Sequence, residues 1–224
     1  MQKDFHLKNR VVVVTISSEG LGAAVARRLQ PEGCLLALLT CDALGDRKSD
    51  IGNPDLKDSG FSKHVKLFNR REVKDAFQEI MGLHDRIDIL INAAELAPPA
   101  CSLADLKPEQ WNDVLALNTK GTLFACQEAV RFMRKQKFGQ IINISSTRSL
   151  DLPPDHGAYA ISKVGVNAMT EAMAKEEGKY NIRVNAVAVG KAMTDDVLET
   201  ILFLISEEAG YITGQIIQVA GREE

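Results

Sequence analysis

The stretch VVVVTISSEGLG, residues 11–22, decides how the rest of the chain is read. Four consecutive valines make the unbroken apolar run expected of a strand covered on both faces. Gly20 and Gly22 follow as a turn opening into a helix, whose first amides attract phosphate. Ile16 breaks the pattern, because it stands where such a turn takes glycine. Glycine there permits a tight turn and a close approach of backbone to phosphate. A β-branched side chain resists positive φ and adds bulk beside the loop. Two outcomes are open: Ile16 reshapes the turn and binding survives, or the cradle is lost.

Outward from this stretch, short apolar runs alternate with helical patterns. LLALL from Leu35, HVKLF from His64, IDILIN from Ile87, QIINIS from Gln140, IRVNAVA from Ile182 and GQIIQVA from Gly214 read as further strands. Helical patterns cover residues 20–30, 71–83, 108–135, 157–177 and 195–206. This alternation predicts an α/β protein, a parallel sheet with helices on both faces. Residues 42–63 are polar, contain Gly and Pro, and read as a surface loop or a reduced helix. No linker divides the chain, so one domain spanning 1–224 is expected. In such sheets ligands bind at the carboxyl ends of the strands. The positions to inspect are therefore 15–22, 40–42, 92–95, 145–147 and 189–194.

Composition narrows the function. The 224 residues are 45% hydrophobic and 25% charged, with a net charge of −3. That balance carries no footprint for nucleic acid or an acidic membrane. RFMRKQK reads as one solvated helix end. The four cysteines form no CxxC pair, which suits a reduced intracellular protein with small buried thiols. The four histidines lack metal-ligand spacing, so no metal is expected. The N-terminal MQKDFHLKNR is polar and unlike a secretory signal. The apolar runs are too short for a membrane span. A cytoplasmic location is expected.

Chemistry is suggested by YAISK. Tyr159 and Lys163 stand four residues apart, which puts both on one helix face. An ammonium near a phenol favours the phenolate, so Lys163 is expected to lower the Tyr159 pKa and make it an acid or base near neutrality. Ser146 ends the strand QIINISS, where its hydroxyl can polarise a substrate carbonyl. Asn118 interrupts a long helical pattern, either as a tolerated polar residue or as part of the site.

With these residues in place, the chain resembles a short-chain dehydrogenase/reductase, closest in type to the 3-oxoacyl-acyl-carrier-protein reductases. The resemblance runs from LKNRVVVVT to YITGQIIQVAG, through RIDILINAA, WNDVLALNTKG, GQIINISS, YAISKVGVNAMTEAMAKE and IRVNAVAVG. It implies a three-layer, Rossmann-like doubly wound sheet and an Asn-Ser-Tyr-Lys tetrad at Asn118, Ser146, Tyr159 and Lys163. Tyr159 would give a proton to the carbonyl oxygen, and Lys163 would bind the nicotinamide ribose. Ser146 would orient the carbonyl, and Asn118 would hold a relay water. Hydride would pass between NAD or NADP and a small-molecule carbonyl or secondary alcohol. The cofactor would lie against Ser17, Ser18, Gly20, Leu21, Gly22, Thr40, Asn92, Ala93, Ala94, Tyr159, Lys163, Gly190, Ala192 and Thr194. The family's interfaces imply a homo-dimer or homo-tetramer, or a hetero-oligomer with an active relative.

Departures from the family pattern cluster beside the cofactor. Ile16 replaces the first loop glycine and would crowd the adenosine half of the dinucleotide. The usual Asn-Asn-Ala-Gly reads INAA, with Ile91 and Ala94. Thr40 stands where an Asp would bind the NAD ribose, with Asp42 nearby, and Glu19 leans the choice towards NAD. After Thr194 the helical segment that closes over substrate is shortened, which implies an open pocket. These departures support an alternative: a weak or inactive member acting as a scaffold or oligomer partner.

Overall fold

The computed structural model describes residues 5–17, 20–41 and 60–221. Among these residues seven parallel strands form one sheet in the order β3-β2-β1-β4-β5-β6-β7. They are β1 (Val11–Ser17), β2 (Leu35–Cys41), β3 (Phe61–His64), β4 (Ile89–Asn92), β5 (Gly139–Ser146), β6 (Ile182–Val189) and β7 (Ile216–Val219). The helices are α1 (Leu21–Leu29), α2 (Arg70–His84), α3 (Pro108–Leu115), α4 (Thr122–Gln136), α5 (Arg148–Asp151), α6 (Gly157–Glu177) and α7 (Thr194–Ile205). The strand order reverses between β1 and β4, and the crevice there is where open α/β sheets bind ligands.

Alternation of side chains along β1 builds the two cores. Val11 and Val13 face α2, α4 and α6, where Phe77, Ile80, Ala129 and Met173 are buried. Val12, Val14 and Ile16 face α1 and α7, among Val25, Leu29, Ile201 and Ile205. The result is the expected three-layer, doubly wound sheet.

Ile16 therefore does something different from what its position in the sequence suggests. It continues β1 in register with Thr40 and is buried to 1% exposure in the α1–α7 core. It has no positive φ, so the expected strain does not arise, and its side chain faces packed protein rather than the crevice. It lies so close that a Cβ on Gly22 would come within 3.2 Å of its Cγ1. β1 runs on to Ser17 instead of ending at Thr15.

Two other segments differ from the sequence reading. The third strand covers Phe61–His64 and not the apolar run that starts at His64. Among the described residues it pairs with β2 alone, as an edge strand, and its burial alternates. Val65 and Leu67 sink into the α2–α4 core from the turn that follows. Part of the expected loop thus belongs to the sheet; its remainder, 42–59, lies outside the described residues. The pattern over 108–135 is two α-helices joined by a π-helical turn, Ala116–Gly121, that contains Asn118. Such turns widen a helix by one residue and recur at functional sites.

Candidate active site

The helix α6 leaves its N-terminus beside the end of β5 and carries Tyr159 and Lys163 inward. Both are buried, Lys163 to 2% exposure. The Lys163 ammonium donates to the Ile144 carbonyl at 2.9 Å and lies 2.7 Å from Glu95 Oε2. The Tyr159 hydroxyl donates to that same oxygen at 2.9 Å. The two groups therefore converge on one point at the carboxyl edge of the sheet. Ser146 closes β5 beside them, its Oγ accepting the Arg148 amide at 3.3 Å.

Glu95 was not among the residues singled out above, although it falls in the inspected span after β4. The signal was present: it is the only charged residue between Asp88 and Asp105. Its backbone is held on two sides. The Ser17 hydroxyl accepts the Glu95 amide at 2.9 Å and donates to the Glu95 carbonyl at 2.8 Å. The next residue is gripped in the same way by Asn118, whose Oδ1 accepts the Leu96 amide at 2.7 Å and whose Nδ2 donates to the Leu96 carbonyl at 2.9 Å. Asn118 Nδ2 also donates to Ser162 Oγ at 3.0 Å. So Ser17 and Asn118, expected to touch cofactor and a relay water, use their side chains to fix the 95–96 backbone.

The electrostatics invert one expectation. Burial raises the Tyr159 pKa, and the charge and hydrogen bond of Glu95 raise it further. Ser146 and Arg148 pull the other way without reversing the shift. Tyr159 thus ionises well above the ordinary tyrosine range instead of below it, chiefly because it is buried and further because the Glu95 carboxylate lies between phenol and ammonium. Burial alone would raise the Glu95 pKa too. Lys163, the Tyr159 hydrogen bond and the Arg148 charge outweigh it and hold the carboxyl below its usual range.

The remaining predicted residues occupy the same edge of the sheet, apart from Ser18, which lies outside the described residues with Glu19 and Asp42. Thr15 Oγ1 accepts the amides of both Ala93 and Ala94 at 3.2 Å. Asn92 turns inward, donating to Asn143 Oδ1 at 2.9 Å. Thr40 is the penultimate residue of β2 and is buried. Ala192 is half-buried, and Thr194 is exposed at the start of α7. Only residues 190–193 separate β6 from α7, in keeping with the shortened lid region. Gly190 has a packing reason of its own: a Cβ there would stand 2.9 Å from Ala220 Cα and 3.0 Å from Thr147 Cγ2. Gly190→Ala is expected to lower stability by about 2 kcal/mol through this overpacking, read as a lower urea midpoint at unchanged slope.

A dinucleotide fits one end of this edge. Gly20 adopts φ +146° with open space around its missing side chain. The first turn of α1 has no side-chain cap and no acidic residue, and its amides suit a phosphate. At the other end, the Tyr159–Lys163 pair is held by Glu95. Among the described residues no cluster suits a metal, and no helix is long and apolar enough to cross a membrane.

Comparison with known proteins agrees with this architecture. The family model for short chain dehydrogenases matches residues 10–200. The 3-oxoacyl-[acyl-carrier-protein] reductase FabG of Aquifex aeolicus is 31% identical over 247 residues, covering 97% of this chain and 98% of the relative. The 3alpha-hydroxysteroid dehydrogenase of Mediterraneibacter gnavus is 30% identical, covering 96% and 97%. The crystal structure of gox2181 superposes with a TM-score of 0.85 at 25% identity, over 96% of this chain and 95% of that one. The chain belongs to the short-chain dehydrogenase/reductase family. It is by class an oxidoreductase, and the class works with a nicotinamide cofactor.

Proposed function

We propose that the chain, as a single domain over 1–224, interconverts a small carbonyl compound and its secondary alcohol, with NAD or NADP as the hydride carrier. The observation that carries this reading is the convergence of Tyr159 and Lys163 on one oxygen, at 2.9 Å and 2.7 Å. That oxygen marks where a substrate carbonyl would sit. In reduction Tyr159 donates its phenolic proton to the carbonyl oxygen, and Ser146 orients it by a second hydrogen bond. Lys163 offsets the charge left on the phenol and would bind the ribose hydroxyls of the nucleotide. Asn118 contributes by holding the backbone beside Tyr159. The α1 N-terminus and the Thr15–Ala94 turn would hold the dinucleotide, which supplies or accepts hydride.

A phenol kept protonated is an acid rather than a base. Reduction is therefore expected to stay level through the neutral range, while alcohol oxidation climbs with pH. The test is turnover of NADH and NADPH against a panel that includes a 3-oxoacyl thioester and a ketosteroid, after the named relatives. Tyrosine-dependent turnover on any member supports the reading. A panel without turnover, at saturating nucleotide, contradicts it.

A second reading has its own support: a weak or inactive member that serves as an oligomer partner. Glu95 engages both reacting side chains, and the lid region is short. Ile161 and Val164 are exposed on α6, at 39% and 40%, and suit a helix-to-helix contact in a homo-dimer or homo-tetramer, or with an active relative. The same turnover panel separates the two readings.

A further inference from the structure

A phenol has one proton to donate, whereas an ammonium has three. The Tyr159 proton is given to Glu95 Oε2, so a substrate carbonyl can receive it only after that hydrogen bond breaks. We propose that Glu95 is an internal latch, a carboxylate that holds the Tyr159 hydroxyl and the Lys163 ammonium in the resting protein and must swing out before the site can work. This rests on the reading of Tyr159 and Lys163 as the reacting pair.

The geometry says which partner moves. The Lys163 side chain is 2% exposed and the Glu95 side chain 37%. Lys163 is also anchored to the Ile144 carbonyl. The Glu95 backbone is pinned by Ser17, and the backbone of Leu96 by Asn118. Release is therefore a side-chain rotation and not a loop movement. Among the described residues, the charged and titratable groups acting on the carboxylate are Lys163 and Tyr159 from α6 and Arg148 from α5. Arg148 is exposed, and its guanidinium lies 5.9 Å from the Tyr159 ring centre. It is the cation toward which a released carboxylate turns. The latch makes the resting site a closed ion pair, so nucleotide and substrate bind against its opening. Glu95 is a positioning residue in this scheme, since it acts through Tyr159.

The test reads the phenol directly. Tyrosinate absorbance is titrated in the unliganded protein, with Tyr159→Phe as the subtraction reference, for the unmodified chain, Glu95→Gln and Glu95→Asp. The latch predicts that the Tyr159 phenol ionises at least about tenfold more readily in Glu95→Gln. Glu95→Asp keeps the charge but shortens the reach by one methylene, and should give a smaller shift in the same direction. Fluorescence titration with NADH and NADPH should show affinity about tenfold tighter in Glu95→Gln. A phenol that does not move in folded Glu95→Gln, or an affinity that stays equal where binding is measurable, overturns the latch. If no variant binds either nucleotide, the phenol alone decides: a shift upholds the clasp on Tyr159 while the cofactor reading fails.

Discussion

Tyr159→Phe is expected to lower turnover by about a thousandfold without weakening nucleotide binding. The size follows from what a positioned general acid contributes, roughly a hundred- to ten-thousandfold. The phenylalanine ring refills the buried volume, and Lys163 keeps its contacts with Glu95 and the Ile144 carbonyl. Folding should therefore survive. One of the two bonds that hold the Glu95 carboxylate is lost, so nucleotide affinity should stay level or tighten. Steady-state rates paired with a binding titration check this. Retention of activity within about tenfold would mean that Tyr159 is not the proton donor.

Asp88→Ala is expected to cost about 3 kcal/mol of stability, the largest loss we assign to any single substitution. Asp88 is fully buried at the amino end of the sheet. Its carboxylate accepts the Val11 amide at 2.9 Å, Arg86 Nε at 2.8 Å and Arg10 Nη1 at 3.2 Å. Its backbone bonds to Val11 and Gln140, so one residue ties β1, β4 and β5 together. The alanine strands a buried amide and leaves two arginines without their partner. Asp88→Asn keeps an acceptor for Val11 and should lose less. Urea denaturation of the three proteins gives the ordering, and equal midpoints would contradict it.

The repeating parts of the fold were legible because burial imposes a period. The helix over 157–177 is found with those limits, and the valines of β1 alternate between two cores as continuous apolar runs do in parallel sheets. The third strand was misplaced because an edge strand shows half a pattern, while the apolar residues beside it belong to a buried turn. Ile16 shows a related limit: a β-branched residue where a turn takes glycine implies strain only if the turn is there, and here the position lies inside β1 without positive φ.

The candidate site was legible where spacing carries it. A YxxxK pair on a helix and a serine at a strand end come together at one edge of the sheet. What spacing could not show is a carboxylate arriving from the segment after a different strand. Glu95 and Lys163 are 68 positions apart, and only the register of β4 beside β5 brings them together. With burial the larger cause, that carboxylate adds to the rise of the Tyr159 pKa, opposite to the expected direction. The role of Asn118 is likewise tertiary, since its amide serves the backbone of Leu96 across the crevice.

The central claim is that this family member still holds a nicotinamide cofactor beside Tyr159 and Lys163. Its most direct test is a fluorescence titration of the unmodified chain and Glu95→Gln with NADH and NADPH at fixed salt. The account predicts saturable binding of at least one nucleotide, tighter in the variant. Absence of binding by both proteins at millimolar nucleotide would contradict it, and would leave a dehydrogenase fold put to another use.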